Sequence, residues 1–123
     1  MRVFQTKWFV RWAANEGLLE QSLCNAVTEM EQGLIDANLG GFVVKKRIGV
    51  GGRGKSGGVR TVVAFRLKDK AIFLYGFAKN QRDNIDALEL QTLKKMAAHL
   101  LAYDHVALDK AISSRELVEV RYE

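Results

Sequence analysis

The N-terminal third of the chain combines a short strand with two stretches of helical periodicity. Residues 2–5 have the composition of a strand, and Thr6 is a suitable N-cap for a helix that ends at Gly17 and carries Trp8, Phe9, Trp12 and Ala13. Apolar residues then recur at helical intervals from Leu19 to Leu34, with Gly33 near the end of this second helix. The pattern predicts two consecutive helices that form an αα hairpin.

The periodicity changes to that of β-strands after residue 41. Three segments, 42–48, 59–67 and 71–77, have strand character, and the short connection between the last two predicts an antiparallel meander. A third helix is predicted to run from Asp83 or Asn84, either of which is a good N-cap, to Leu101. After Asp104 the pattern indicates a short helix and an edge strand at 117–121.

Helices and strands that do not alternate one for one indicate an α+β fold. We expect two N-terminal helices and a C-terminal helix on one face of an antiparallel sheet of about four strands, with the other face free to bind. The 123 residues correspond to a single domain. Residues 1–103 are predicted to form its main body, and residues 104–123 to form a C-terminal extension of the same domain.

The composition is typical of a folded globular protein. With 48% hydrophobic and 27% charged residues, the chain has enough apolar side chains to bury a core. No apolar run approaches the roughly 20 residues that span a bilayer, and the N-terminus lacks the features of a signal peptide. We therefore expect a soluble, cytoplasmic protein with no membrane partner. The single cysteine, Cys24, excludes an internal disulfide.

The net charge of +5 is unevenly distributed along the chain. Residues 1–40 carry a net charge of −2, residues 41–82 a net charge of +10, and residues 83–123 a net charge of −3. A concentration of positive charge in the middle third attracts polyanions. Nucleic acid is therefore the leading candidate partner.

A glycine-rich loop within the basic segment matches two nucleotide-binding motifs. Residues 49–56, GVGGRGKS, satisfy GxxxxGK[ST], and residues 49–54 also satisfy GxGxxG. Both motifs need a buried parallel strand before the loop and a helix directly after it. Here three cationic residues precede the loop, and two glycines followed by a β-branched run come after it. The sequence therefore argues against a nucleotide triphosphatase.

The basic residues converge once the strands are arranged as a meander. They lie at the end of the first meander strand, in the glycine-rich loop, at the start of the second strand and just beyond the third: Lys45, Lys46, Arg47, Arg53, Lys55, Arg60, Lys79 and Arg82, with Asn80 beside them. Two hairpin-linked strands return the chain to its starting level, so these residues gather at one end of the sheet. Phe73, Tyr75 and Phe77 are expected on one face, at least two of them in the core. Such a site suits single-stranded nucleic acid.

Two segments of the meander resemble a known family. GKSGGVRTVVAF at 54–65, followed by FLYGFAKN at 73–80 and DNI at 83–85, closely resembles the RelE/HigB-like toxins of bacterial type II toxin-antitoxin systems, within the RelE/ParE superfamily. The resemblance covers most of the chain and implies the small RelE-like fold. It also implies an mRNA interferase, a ribosome-dependent endoribonuclease that cuts messenger RNA in the 70S A site and inhibits translation. Its partner would be a cognate antitoxin, a DNA-binding protein of the HigA or RelB kind.

The implied reaction assigns roles to the basic residues. Cleavage without a metal or other cofactor needs a base for the 2′-OH, cations for the phosphate and an acid for the leaving 5′-oxygen. Arg60 matches the family arginine and would hold the phosphate. Lys55, or Lys46 on the neighbouring strand, is the candidate base because cationic neighbours lower the pKa of a lysine. Lys79 would be a second cation or the acid. The remaining expected RNA-binding residues are Lys45, Arg47, Arg53, Arg82, Tyr75 and Asn80.

The chain departs from the family pattern at two positions. Asn80 replaces an arginine of the best-known ribosome-dependent members, and Asp86 replaces a tyrosine. Tyr75, Tyr103 and Tyr122 remain candidates for that tyrosine's role. Two alternatives stay open: a non-catalytic DNA gyrase inhibitor of the ParE type on the same fold, and a plain nucleic-acid-binding module. The loop lysine and the arginine of GKSGG-R favour the nuclease, because a gyrase inhibitor does not need them.

Overall fold

Helices and strands are interspersed along the whole chain. A computed structural model describes residues 1–51 and 57–122. The elements it shows are β1 (Arg2–Thr6), α1 (Lys7–Glu16), α2 (Glu20–Glu31), β2 (Ala37–Gly40), β3 (Val43–Ile48), β4 (Val59–Arg66), β5 (Lys70–Ala78), α3 (Ala87–Leu101), α4 (His105–Ser113) and β6 (Leu117–Val120). The predicted α+β class is confirmed. Within these residues no helix combines the length and apolar character that a bilayer crossing requires.

All six strands belong to one mixed sheet, in the order β2-β3-β4-β5-β1-β6. Strands β3 to β5 form the predicted antiparallel meander, and β2, which was not predicted, pairs antiparallel with β3. Strand β1 inserts beside β5 and pairs with it in parallel, and β6 completes the sheet antiparallel to β1. The predicted antiparallel sheet of about four strands therefore agrees only roughly with the observed mixed sheet of six strands. Of the two four-residue edge strands, β6 corresponds to the edge strand predicted at 117–121, whereas β2 was not predicted.

The sheet is covered on both faces, so the expectation of one free face is wrong. One core joins α1 and α2 to the sheet through buried residues such as Phe9, Val27 and Phe73. A second core on the opposite face joins α3 and α4 through residues such as Leu93 and Leu108. Burial of apolar area on both faces is the main stabilising contribution to a layered fold of this kind. Any binding surface must therefore lie at a sheet end or between helices.

The helix caps explain where the chain leaves the sheet. The Thr6 hydroxyl accepts a hydrogen bond from the Phe9 amide at 3.2 Å, so α1 begins as predicted. Helix α3 begins later than predicted, because Asp86 is its N-cap and forms a reciprocal capping box with Glu89. Residues 79–86 are consequently a connection between β5 and α3. This connection lies over the end of the sheet at which the basic residues gather.

A β-bulge in β5 reorients its aromatic residues. Val62 pairs with Tyr75 whereas Val63 pairs with Phe73, so Leu74 is an extra residue on the β5 side. Phe73 packs in the core under α1 and α2, and Tyr75 packs against the core under α3. The prediction that the three aromatic residues of β5 share a face is therefore wrong, because the bulge breaks the alternation of side chains.

Candidate functional site

The central feature of the candidate site is a row of three residues across the sheet. Arg47 on β3 lies opposite Arg60 on β4, which lies opposite Phe77 on β5. Directly paired residues share a face, and Arg60 shares its face with Val62, two positions along the strand. Because Val62 belongs to the core under α3, the three residues lie on that face. The Arg60 side chain is held within the protein, since the residue is only 7% exposed.

Further cations surround this row, as the sequence predicts. Lys45 lies two residues before Arg47 on the same strand, is half-buried, and pairs with Val62. Lys79 and Asn80 follow Ala78, the last residue of β5, and both are exposed. The predicted return of the chain to the level of Arg60 is confirmed, because Ala78 pairs with the neighbouring Val59. We call Lys45, Arg47, Arg60, Lys79 and Asn80 the cationic end of the sheet.

Lys46 lies on the opposite face from its neighbours. Its ammonium is 2.7 Å from a carboxylate oxygen of Glu29 and donates to the Leu34 carbonyl at 2.8 Å. The residue is buried, and it pairs with the buried Thr61 of β4. Alternation along the strand is the physical reason: residues 45 and 47 face α3, so residue 46 must face α2. The structure therefore separates Lys46 from the cationic end.

Arg47 is partly neutralised by an acidic neighbour. Asp36, directly before β2, accepts the Arg47 backbone amide at 2.6 Å and its guanidinium Nε at 2.8 Å. Burial raises the pKa of the Asp36 carboxyl, but the hydrogen bonds and charge of Arg47 outweigh it, so this pKa lies below its ordinary value. Asp36 therefore stays ionised and fixes the start of the Arg47 side chain.

Arg82 is held inside the connection between β5 and α3. Its two terminal nitrogens bind the two carboxylate oxygens of Glu89 at 3.0 and 2.5 Å, and its Nε donates to the Asn84 carbonyl at 2.9 Å. Its guanidinium carbon lies 5.7 Å from the centre of the Phe77 ring. The Arg82 hydrogen bond is the largest cause that lowers the pKa of Glu89, to about 2. Arg82 thus fixes the connection against the cationic end, and only part of its side chain is exposed.

Tyr75 and Trp8 form the aromatic border of the site. Trp8 is not among the site residues predicted from the sequence. The Tyr75 ring stacks on Trp8 of α1 at a centroid distance of 4.6 Å, and the Tyr75 hydroxyl lies 3.5 Å from an Arg82 nitrogen. Trp8 in turn stacks on Trp12 at 6.0 Å. The four-residue spacing of the two tryptophans indicated a helix face, but the position of Trp8 beside Tyr75 depends on the parallel pairing of β1 with β5.

The other two tyrosines and the histidines lie elsewhere. The Tyr103 hydroxyl donates to Glu116 at 2.7 Å and lies 3.1 Å from a His99 ring nitrogen. Tyr122 donates to Glu31 on α2. The carboxylate of Glu116 raises the pKa of Tyr103, whereas burial is the main cause that raises the pKa of Tyr122. Tyr75 is therefore the tyrosine that the fold brings to the cationic end.

Two predicted site residues cannot be placed in this geometry. Lys55, the candidate base, and Arg53, a candidate RNA-binding residue, lie outside the described residues, in the segment that connects β3 to β4. In the described ranges, 1–51 and 57–122, no three His, Cys, Asp or Glu side chains come together in a way that could hold a metal ion.

Comparison with known proteins identifies one matching family. A family model described as the RelE toxin of the RelE/RelB toxin-antitoxin system matches residues 1–120. The match includes α4 and β6 as well as the meander that forms the cationic end. A search of curated proteins finds no significant match.

Proposed function

This chain belongs to the RelE toxin family, and we propose that it is a ribosome-dependent endoribonuclease that cuts messenger RNA in the A site. In this proposal the toxin inhibits translation in the cytoplasm, where ribosomes are found, and a cognate antitoxin silences it. Cleavage uses protein side chains alone, without a metal ion.

The observation that carries the proposal is the placement of Arg47 opposite Arg60 at one end of the sheet. Two like charges directly opposite each other destabilise a β-ladder, and a bound anion offsets that repulsion. Lys45 and Lys79 add positive charge beside the pair. A phosphate that gains negative charge during cleavage is the ligand that such an arrangement stabilises best.

Arg60 is assigned to the scissile phosphate, because its planar guanidinium can contact two phosphate oxygens. Lys79 supplies a second cation or the acid for the leaving oxygen. Lys55 remains the proposed base on the basis of the family motif. Lys46 takes a structural role, since its ammonium is committed to Glu29 and the Leu34 carbonyl.

Tyr75 is assigned to stacking on a base of the bound messenger. Its ring is already fixed by Trp8 on one side, and stacking of an unpaired base on an aromatic ring contributes about 1–3 kcal/mol. This position would serve the role of the family tyrosine that Asp86 replaces. Lys45, Arg47 and Asn80 would contact the backbone on either side of the cut, and Arg82 would fix the connection that borders the site.

The test is cleavage of a defined messenger on programmed 70S ribosomes by purified protein. We expect cuts within the A-site codon, no cuts in the same messenger without ribosomes, and no cuts with Arg60→Ala. Lys68→Asn is the matched control, because Lys68 is an exposed cation in the turn at the opposite end of the sheet. Asparagine is chosen as the replacement because it tolerates the positive φ of 62° at this position. An intact messenger together with inhibited gyrase supercoiling would overturn the proposal in favour of the ParE-type activity.

A further inference from the structure

An apolar groove adjoins the cationic end, and Tyr75 is the one residue of its wall that the proposed reaction uses. A cavity of about 620 Å³ lies between the start of α1, β5, α3 and the start of β6. A second cavity of about 310 Å³ lies toward the first turns of α3 and shares Tyr75 and Leu93 with the first. The two cavities therefore form one continuous depression. We call it the α3 groove and define it by Trp8, Leu74, Tyr75, Leu88, Leu93 and Met96.

Large apolar side chains of the α3 groove are exposed to solvent. Leu88 is 72% exposed, Trp8 is 46% exposed and Met96 is 39% exposed. Leu88, Thr92 and Met96 are four residues apart and His99 follows three later, so they form one stripe along α3 that is about 16 Å long. A contiguous apolar surface bordered by polar groups is typical of a protein-binding site.

The length and shape of the groove fit an amphipathic α-helix. A stripe of about 16 Å corresponds to about 11 residues of a partner helix, since each residue advances the helix axis by about 1.5 Å. A partner helix that places apolar side chains at every third and fourth position would bury them against Leu88, Met96 and Trp8. RNA is disfavoured inside the groove, because the wall formed by Leu88, Leu93 and Met96 is aliphatic and offers no donors or acceptors for base edges.

The charges beside the groove select an acidic occupant. Lys7 lines the first cavity and Lys95 lies next to Met96; both are exposed, and neither forms an ion pair within the described part of the chain. Of the nearby acidic residues, Glu89 is compensated by Arg82, whereas Glu116 accepts a hydrogen bond from Tyr103 and keeps its charge, so the two lysines still leave a net positive charge beside the groove. A second copy of this chain would bring another net charge of +5 to the same surface, so a basic homodimer is disfavoured.

We propose that the α3 groove binds an acidic, amphipathic helix of about 11 residues that belongs to the antitoxin. Tyr75 borders both the groove and the cationic end, so an antitoxin in the groove continues directly onto the residues that contact RNA. The antitoxin thereby excludes the messenger. This inference rests on the toxin-antitoxin partnership of the family, and it holds whether or not the toxin is a nuclease.

The experiment measures binding of the protein encoded by the reading frame adjacent to the toxin gene, by isothermal titration calorimetry with RNA absent. Leu88→Glu with Met96→Glu places two acidic residues in the groove at exposed positions, so the fold is retained. We expect the dissociation constant to rise at least 100-fold. Leu19→Glu with Val106→Glu is the matched control, because both residues are exposed and apolar but lie outside the groove, Leu19 at the N-cap of α2 and Val106 on α4. The control should stay within twofold of the wild type.

A second measurement leaves the six residues that define the groove unchanged. In a Trp12→Phe background Trp8 is the remaining tryptophan, and its emission should shift to shorter wavelength when the antitoxin covers it. Unchanged emission on binding, or groove variants that bind like the wild type, would overturn the proposal. It would also be overturned if the groove variants lost RNA affinity or toxin self-association while antitoxin binding was retained. Loss of ribosomal cleavage is measured separately, so failure of the nuclease proposal leaves these results interpretable.

Discussion

Arg47 and Arg60 lie directly opposite each other in the β3–β4 ladder, on the sheet face that α3 covers. The two arginines are not equivalent. Arg47 is 46% exposed at its side chain and is bound by Asp36, whereas Arg60 is almost completely buried behind the sheet end. Buried donors interact more strongly with a developing charge than exposed donors do, because water screens them less. We therefore expect Arg60 to be the main phosphate-contacting residue.

The first prediction follows from this asymmetry. Arg60→Met keeps much of the side-chain volume and should reduce single-turnover cleavage on ribosomes by about 100-fold or more, the size of effect seen when one preorganised donor is lost. Arg47→Met should reduce it by only about 10-fold, because Asp36 already compensates part of its charge. Arg60→Lys should restore little, since an ammonium cannot make the two-pronged contact. Equal losses for both arginines would contradict the assignment.

The second prediction contrasts two adjacent lysines on opposite faces. Lys45→Met should weaken binding of single-stranded RNA and reduce the slope of log affinity against log salt by about 0.7, with stability unchanged. Lys46→Met should lower the free energy of unfolding by roughly 2–4 kcal/mol, because it removes the buried ammonium that binds both Glu29 and the Leu34 carbonyl. Urea unfolding and RNA anisotropy at several salt concentrations separate the two effects. The outcome that contradicts this reading is a salt slope that depends on Lys46 and not on Lys45.

The convergence of cations could be predicted from the sequence because it depends on local hairpins. Once β4 and β5 are joined by a tight turn, Lys79 has to return to the level of Arg60. The separation of Lys46 from Arg47 was also within reach, since alternation places consecutive strand residues on opposite faces. The capping box of Asp86 and Glu89 likewise identifies the start of α3, although two other good caps precede it.

The position of Trp8 beside Tyr75 could not be predicted in the same way. It depends on the pairing of β1 with β5, which is parallel and connects segments almost 70 residues apart in the chain. It also depends on the bulge at Leu74, which turns Tyr75 toward α3 and leaves no signature in a run of apolar residues. The aromatic border of the site and the α3 groove therefore emerge only from the tertiary structure.

The third prediction separates stacking from proton transfer at Tyr75. If its ring stacks on a base, Tyr75→Phe should retain cleavage within about threefold, whereas Tyr75→Ala should lose roughly 5- to 150-fold, which corresponds to about 1–3 kcal/mol. Both variants are measured in the ribosome assay at saturating and limiting protein. A Tyr75→Phe variant as inactive as Tyr75→Ala would instead identify the hydroxyl as the acid for the leaving oxygen.

The fourth prediction concerns the contact that orients α1 over β5. A Cβ atom built at Gly76 would lie 2.2 Å from the Trp12 ring, so the ring occupies the space that any other residue would need. Gly76→Ala should therefore lower the free energy of unfolding by about 1–3 kcal/mol, the usual cost of overpacking. A double-mutant cycle with Trp12→Leu tests the cause, because a smaller side chain at position 12 should recover part of that loss. If Trp12→Leu gives no recovery, the cost arises from the β5 backbone.

The last prediction concerns acid stability and the connection over the cationic end. Arg82 holds the pKa of Glu89 at about 2, below the ordinary 4.5, so the folded state favours the ionised carboxylate. Its contribution to stability is complete above about pH 4.5 and is lost as the pH falls toward 2. The stability difference between wild type and Glu89→Gln, measured by urea unfolding, should therefore be constant from neutral pH to about pH 5 and shrink below it.

Carboxyl titration by NMR provides the matched control for the same pair. Arg82→Gln removes the largest cause of the shift and should return the Glu89 pKa toward 4.5. The capping hydrogen bond that the Asp86 amide donates to Glu89 would still keep the Glu89 pKa somewhat below 4.5. A Glu89 carboxyl that titrates near 4.5 with Arg82 present would show that the ion pair does not form in solution. In that case Arg82 would be available to RNA, and Arg82→Gln would reduce RNA affinity to a similar extent as Lys45→Met.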